Sequence, residues 1–439
     1  MNKTVYFYTL GCKVNTCESE EISENLKKLG YETVTEPGAG VAVVNSCTVT
    51  GESGRKTRQT LRRARRENPE AVVILTGCHV QAFPEDVKDL PEADVIVGNR
   101  NNAKIPEYLT RFLADRQRIV AAAAHEKGER FSAPPVSGTA EHTRAFFKIQ
   151  DGCDRFCSYC VIPYAKGRSR SRPLEDVRAT VARFAENGYR EVVLVGIDLT
   201  DYGKDLGGVT LADAVYAAAE AEGIRRVRLG SLEPHNMTPE EIGRLTACEK
   251  LCPQFHLSLQ SGSDAVLRRM NRHYTARQYA DIVGRLRAGF PDCMITTDII
   301  CGFPGETEEE FAETVAFAEQ IRFEKVHIFP YSLREGTRAA KMPDQVPNSV
   351  KDDRCARLAK VCGEIRAELL RSRIGRVYDV LFETPSKGKN RGYTANYMPV
   401  SVDLSAGDLQ GTIRKVRILT AEESGCTGEL TDGSEQSES

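Results

Sequence analysis

The first third of the chain carries short runs of apolar, often β-branched residues at regular intervals: VYFYTLG (5–11), VAVVNS (41–46), AVVILTG (71–77) and DVIVG (94–98). Between them lie polar stretches whose apolar residues recur at helical spacing, as in 18–29 and 56–66. Buried strands alternating with amphipathic helices predict a doubly wound α/β domain over 1–120, with a parallel sheet covered on both faces. The rhythm breaks at 121–142, where HEKGERFSAPPVSGTAEH is rich in Pro, Gly, Ser and charge and reads as a linker. From 143 to 370 it returns. Six apolar runs (146–150, 191–196, 226–231, 255–260, 294–301 and 325–331) alternate with helical patterns at 174–186, 211–222, 239–246, 276–288 and 308–321. Such repetition predicts a (β/α)6 partial barrel, with function at the carboxyl ends of its strands. Over 371–420, VYDVLFE, GYTANYMPVSV and GTIRKVRIL predict a small all-β module. The remainder, 421–439, holds six acidic and no basic residues and reads as a disordered tail.

Composition narrows the setting. At 439 residues, 41% hydrophobic and 28% charged, the chain has room for two or three ordinary globular domains. No apolar run is long enough to span a bilayer, and the N-terminus turns polar within a few residues, so a cytoplasmic protein without a membrane partner is expected. Fourteen cysteines in a reducing compartment then argue for metal or redox chemistry rather than disulfides. The net charge of −2 identifies no partner, but local charge does. Seven basic and no acidic residues fall within 55–66, and 371–420 carries nine Lys/Arg against four Asp/Glu. GRSRSR sets Arg168, Arg170 and Arg172 at alternating positions, which share one side of an extended loop. An RNA footprint is expected, with contacts at Arg168, Arg170, Arg172, Lys387, Lys389 and Arg391. Tyr393 and Tyr397, interleaved with these, suit either base stacking or a strand core.

Three cysteines crowd into DGCDRFCSYC at 151–160: Cys153, Cys157 and Cys160, spaced C-x3-C-x2-C. The next cysteine is Cys248. Polar neighbours (Asp151, Asp154, Arg155 and Ser158) count against buried structural thiols. A structural zinc would ask for four closed ligands, and His142, the one nearby addition, precedes the strand. Iron–sulfur clusters take thiolates, usually four, so three leave an iron open to a non-protein ligand. Cys12, Cys47 and Cys78 belong to no short motif, yet each closely follows a predicted strand. In a parallel sheet these strand ends share one edge, where ligands gather. A second open three-cysteine cluster is therefore expected, with Cys17 and His79 as spare ligands. The other seven cysteines fit no motif.

C-x3-C-x2-C with Tyr159 before the last cysteine resembles the radical S-adenosylmethionine (SAM) enzymes, whose open iron holds the amino and carboxylate groups of SAM. Two incomplete clusters in one chain resemble the methylthiotransferases of that superfamily. The likeness covers nearly the whole chain: GCKVN, NSCTVT and TGC in the first domain, then DGCDRFCSYCVIPYAKGRSRSRP, LGSLEP, HLSLQSGSD, MNRHYT and TTDIICGFPGET in the second. The last module resembles their TRAM domain, an OB-like RNA-binding unit. The resemblance implies two 4Fe–4S clusters, on Cys153, Cys157 and Cys160 and on Cys12, Cys47 and Cys78. It implies SAM used twice, once to methylate sulfur at the auxiliary cluster and once cleaved to a 5′-deoxyadenosyl radical that removes hydrogen from the substrate. Cofactor contacts are then expected at Tyr159, Gly196, Ser231, Glu233, Gln260 and Asp298, and a flavodoxin- or ferredoxin-like electron donor is implied. CGFPGET lacks the Lys-Ser/Thr of a P-loop, which excludes nucleoside triphosphate binding.

GCKVN and CTVT are similar to the group that acts on N6-threonylcarbamoyladenosine at position 37 of tRNA, beside the anticodon. The alternatives are N6-isopentenyladenosine, an aspartate of a ribosomal protein or, outside enzymology, a zinc-stabilised RNA-binding protein.

Overall fold

A computed structural model describes residues 2–48, 52–136, 138 and 143–431; the Thr50 of CTVT and His142 lie outside them. The first sheet has six parallel strands, ordered Glu32–Thr33, Thr4–Thr9, Val41–Ser46, Val72–Gly77, Val95–Gly98 and Ile119–Ala121. Every residue of Val41–Ser46 and Val72–Gly77 is buried, as continuous apolar strands require when helices cover both faces. Ile22 and Leu26 of helix Lys13–Lys27, with Leu109 of helix Ile105–Asp115, pack on one face. Leu61 and Ala64 of helix Ser53–Glu67 pack on the other. Chain order reverses between Thr4–Thr9 and Val41–Ser46, so the crevice of the sheet opens at the carboxyl ends of those two strands.

The stretch read as a linker is folded along the domain boundary where it is described. His125 Nδ1 lies 2.7 Å from the Glu129 carboxylate, and the Phe131 ring lies 4.7 Å from the Arg172 guanidinium.

Strands Arg144–Lys148, Glu191–Val195 and Arg226–Leu229 form one parallel sheet of the second domain. Ser231–Leu232, Gln254–Leu257, Met294–Cys301 and Lys325–Pro330 form another. The third unit gives a segment to each, Arg226–Leu229 and then Ser231–Leu232, and so joins them into an open six-unit partial barrel. The fourth strand stops at Leu257, short of the expected 260, and Gln260 sits in the left-handed region at φ 71°. The 24-residue helix Asn348–Arg371 had no clear signature in the pattern. Its buried face includes Lys351 and Arg354, which hide the apolar period.

Strands Val377–Phe382, Lys389–Thr394, Pro399–Asp403, Gly425–Leu430 and Ile413–Glu422 close into a five-stranded barrel in that order. The expected disordered tail is corrected here. Ile413–Glu422 pairs with Gly425–Leu430, and Cys426 joins the barrel core, because closure needs a fifth strand. Its acids Glu422, Glu423 and Glu429 simply face solvent. Residues 432–439 lie outside the described residues. This module docks at the amino-terminal ends of the partial-barrel strands: Arg226 donates to the Asp379 carbonyl (2.8 Å), Arg228 to that of Ala395 (2.9 Å), and Arg144 pairs with Glu383 (2.8 Å). Among the described residues no helix is long and apolar enough to cross a membrane.

Candidate cluster and cofactor site

The loop of Cys153, Cys157 and Cys160 is pinned at its base by the antiparallel pair Gln150–Asp151 and Arg170–Ser171. Gly152 has φ 74°, and a Cβ there would lie 1.9 Å from the Arg168 carbonyl, so only glycine fits. Backbone amides of Arg155 and Ile162 approach the sulfurs of Cys153 and Cys160, each at 3.4 Å. The Arg272 guanidinium lies 3.4 Å from the Cys157 sulfur. Burial, then the neighbouring Cys157, pushes the Cys160 thiol up to about 12. Burial raises Cys153 as well, so a cation must displace protons to be held here.

The other three cysteines meet at the edge of the first sheet. Cys12 caps helix Lys13–Lys27, Cys47 directly follows Val41–Ser46, and Cys78 follows Val72–Gly77. Gly11, at φ 98°, leaves room for Cys47: a Cβ would come within 2.7 Å of its sulfur. Asn15 ties the loops together. Its amide donates to the Leu10 and Ser46 carbonyls (2.8 and 3.0 Å), and its oxygen accepts from the Cys78 thiol (3.6 Å). Burial pushes Cys78 up to about 12. Cys17, the spare, packs instead with Val14, Val193 and Val195 in the contact between the two domains. His79 is buried with both ring nitrogens unpartnered and lies 3.7 Å from Asp86.

The two sets share a wall. Ala339, in the loop after the last barrel strand, donates to the Ser158 carbonyl (2.8 Å). Tyr331 packs on Phe303, which packs on Tyr159. From the same loop Arg334 donates to the carbonyl and hydroxyl of Thr48, beside Cys47. Behind the wall, Lys166 meets both oxygens of Glu18 (2.5 and 2.6 Å), and Lys148 meets Glu18 (3.2 Å) and Glu21 (3.0 Å).

The expected cofactor residues divide by position. Gly196 leaves space for Gln150, whose oxygen would stand 2.8 Å from a Cβ there and accepts from the Ile197 and Asp198 amides (2.9 and 2.8 Å). Glu233 pairs with Arg272, which links it to Cys157. Tyr159 is half-buried beside these groups, and Ser231 is exposed at its strand end. Asp298 points into the barrel and accepts from His256 Nε2 (3.2 Å), with His327 alongside on the next strand. Gln260 is half-buried at the same rim, whereas Ser261 turns away to Thr314 on helix Glu308–Ile321.

Several polar groups at this rim escaped the sequence reading. Arg155 pairs with Asp198 (3.2 Å) and Asp201 (2.6 Å). Burial, with Glu233 and Asp201 adding to it, pushes Asp198 up to about 7. Arg272 lies inside the quoted MNRHYT stretch, and His256 and His327 lie on the quoted strands. Strand alternation was the signal available for the two histidines.

The basic residues need two corrections. Arg168 is exposed, 3.1 Å from Asp154 and stacked at 5.0 Å on Phe156. Arg170 and Arg172 do not share its side. Arg170 donates to the Lys166 carbonyl and pairs with Asp151, while Arg172 is 2% exposed, bonded to the Lys148 carbonyl and facing Glu21. The short antiparallel pair turns them inward to acids at the domain boundary. Lys387, Lys389 and Arg391 are exposed and line a groove of about 820 Å³ beside helix Asn348–Arg371. Tyr393 and Tyr397 stack on each other (4.6 Å) with Arg144 and Arg228 against their faces, so they serve the domain interface. In the run at 55–66, Arg62, Arg63 and Arg65 are already paired with acids.

Comparison with known proteins agrees with this geometry. Residues 147–318 match the radical SAM superfamily, and 4–98 match the uncharacterized protein family UPF0004. The chain is 39% identical to the threonylcarbamoyladenosine tRNA methylthiotransferase MtaB of Bacillus subtilis (strain 168), over 95% of this chain and 94% of that protein. Its namesake in Thermotoga maritima is 36% identical over 98% of each chain. The tRNA-2-methylthio-N(6)-dimethylallyladenosine synthase of Clostridium beijerinckii is 35% identical over 98% and 96%. The fold is similar to the radical SAM methyltransferase TsrM from Kitasatospora setae, with a TM-score of 0.57 at 15% identity over 75% of this chain and 73% of that one. Radical SAM enzymes use SAM and a 4Fe–4S cluster. The chemistry of the donor sets suits two such clusters: three thiols in each, one short of a closed four-ligand site.

Proposed function

The chain belongs to the radical SAM tRNA methylthiotransferases, and from that premise we propose that it adds a 2-methylthio group to C2 of N6-threonylcarbamoyladenosine at position 37 of tRNA. The observation that carries the chemistry is the wall shared by the two three-cysteine sets, with the loop at 331–342 touching both. The clusters and SAM supply the radical and the sulfur. Chain residues do the rest. Cys153, Cys157 and Cys160 hold one cluster and Cys12, Cys47 and Cys78 the other. Gln150 fixes the cysteine loop against the second strand, and Arg272 balances the charge of Cys157 and Glu233. Tyr159, Gly196, Ser231, Glu233, Gln260 and Asp298 surround the cofactor at the barrel rim. Arg168, at the mouth, and Lys387, Lys389 and Arg391, on the small barrel, meet the anticodon arm. A flavodoxin- or ferredoxin-type protein supplies electrons in the cytoplasm.

Substrate choice rests on GCKVN and CTVT in the sequence, and the Bacillus and Thermotoga relatives carry threonylcarbamoyladenosine in their names. Expression in a host stripped of its own methylthiotransferases, followed by mass spectrometry of tRNA nucleosides, tests it. The expected product is 2-methylthio-N6-threonylcarbamoyladenosine. A methylthio group on isopentenyladenosine instead, or no methylthio nucleoside at all, would overturn the choice.

A further inference from the structure

Arg334 differs from most of the other deeply buried cations, Lys351 apart, whose ammonium donates only to the Asn348 side-chain oxygen. Arg228 has Glu191, Arg272 has Glu233, Arg354 has Glu306, and Lys148 and Lys166 share Glu18. Arg334 is 8% exposed, and its Nε is buried without a hydrogen-bond partner. No carboxylate among the described residues lies within ion-pair distance of it. Its neutral contacts are the carbonyl and hydroxyl of Thr48 and the ring of Phe83 at 5.5 Å. Guanidinium keeps its charge in proteins, and a buried charge without a counter-charge is costly. An anion beside Arg334 would offset that cost.

The acidic groups that act on Arg334 are the thiols of Cys47 and Cys160, one from each set, and the half-exposed Asp86. His79, with its unpartnered ring nitrogens, lies on the same side and feels both Arg334 and Arg58. The hydrogen bonds of Arg334 run to Thr48, so the guanidinium is anchored to the Cys47 side of the wall. Its loop reaches the other side through Ala339 and Ser158.

We infer that Arg334 is a positioning residue for the transferred sulfur: its guanidinium holds a small anionic sulfur ligand, hydrosulfide or methanethiolate, at the open position of the cluster on Cys12, Cys47 and Cys78. The inference rests on the function proposed above. A free guanidinium N–H toward an anion makes a charge-assisted hydrogen bond, stronger than a neutral one. Lysine would keep the charge but lose the planar fork that also grips Thr48.

The test uses full-length, anaerobically reconstituted protein, wild type and the variants Arg334→Lys and Arg334→Gln. Each is titrated with sodium methanethiolate while the cluster signals are followed by electron paramagnetic resonance. Dimethyl sulfide, a neutral thioether, is the control, and SAM binding and iron content are measured in parallel. Arg334→Gln should need about tenfold more methanethiolate or higher, with Arg334→Lys between, while dimethyl sulfide and SAM shift by less than about twofold. Equal thiolate binding in wild type and Arg334→Gln would overturn the inference. So would equal weakening toward thiolate and thioether, which marks a merely structural wall, or loss of one cluster's iron in both variants, which marks a role in building the cluster. If wild type with both clusters loaded does not respond to methanethiolate, the proposed function fails and takes this inference with it.

Discussion

Asp198 shows how single residues at the cofactor rim are tuned by their surroundings. Burial, with Glu233 and Asp201 nearby, raises its carboxyl from the usual range to about 7. The folded protein therefore keeps a proton that the unfolded chain releases near pH 4. Stability present below that pH is lost as pH rises through about 7, on the order of 4 kcal/mol at full titration. Asp198→Asn should flatten the fall in melting temperature between about pH 4 and 7 that wild type shows, the window between the unfolded and folded titrations. An unchanged slope would place the titration elsewhere. The arginines at 168–172 make a second case. Their alternation was legible in the sequence, but their directions were not, because Asp151 and Glu21 are reached only through the antiparallel pairing and the domain contact. Arg172→Ala should lower stability by about 3 kcal/mol, since it leaves Glu21 with less buried charge compensation. Arg168→Ala should leave the melting temperature alone and reduce the salt slope of tRNA binding by about one. Filter binding across a salt series separates the two.

Among elements, the helices Leu174–Glu186, Pro239–Thr246 and Glu308–Ile321 have the bounds that the apolar period predicts. Each buries one clean face against the barrel, so local pattern and tertiary packing agree. Elements whose buried face carries charge were hidden, as in Asn348–Arg371. The closing strand Gly425–Leu430 was hidden for a related reason: Glu429 faces solvent, and only Cys426, with Leu430 partly buried beside it, packs on the core. Ending the chain after Thr420 should therefore unfold the small barrel, whereas ending it after Thr431 should leave its melting transition in place. The contact between helix Lys13–Lys27 and the loop after the cysteine motif is built on charge. Glu18→Gln would leave Lys148 and Lys166 buried with less compensation, at about 3–5 kcal/mol, read as a drop in thermal stability.

For the whole molecule, the grouping of the six cysteines into two sets was legible because C-x3-C-x2-C is local and because strand ends of a parallel sheet converge by topology alone. Gln150, Arg272 and Arg334 were not, since their partners lie on other elements: Asp198, Cys157 and Thr48. The central claim is that both three-cysteine sets serve one methylthio transfer. It is tested most directly by incubating reconstituted enzyme with reductant, SAM and tRNA bearing N6-threonylcarbamoyladenosine, and quantifying nucleosides by mass spectrometry. Wild type should form the methylthio nucleoside together with 5′-deoxyadenosine. The Cys12→Ala, Cys47→Ala, Cys78→Ala triple variant should still form 5′-deoxyadenosine but no methylthio nucleoside. Methylthio product from that triple variant, or none from wild type with both clusters loaded, would contradict the account.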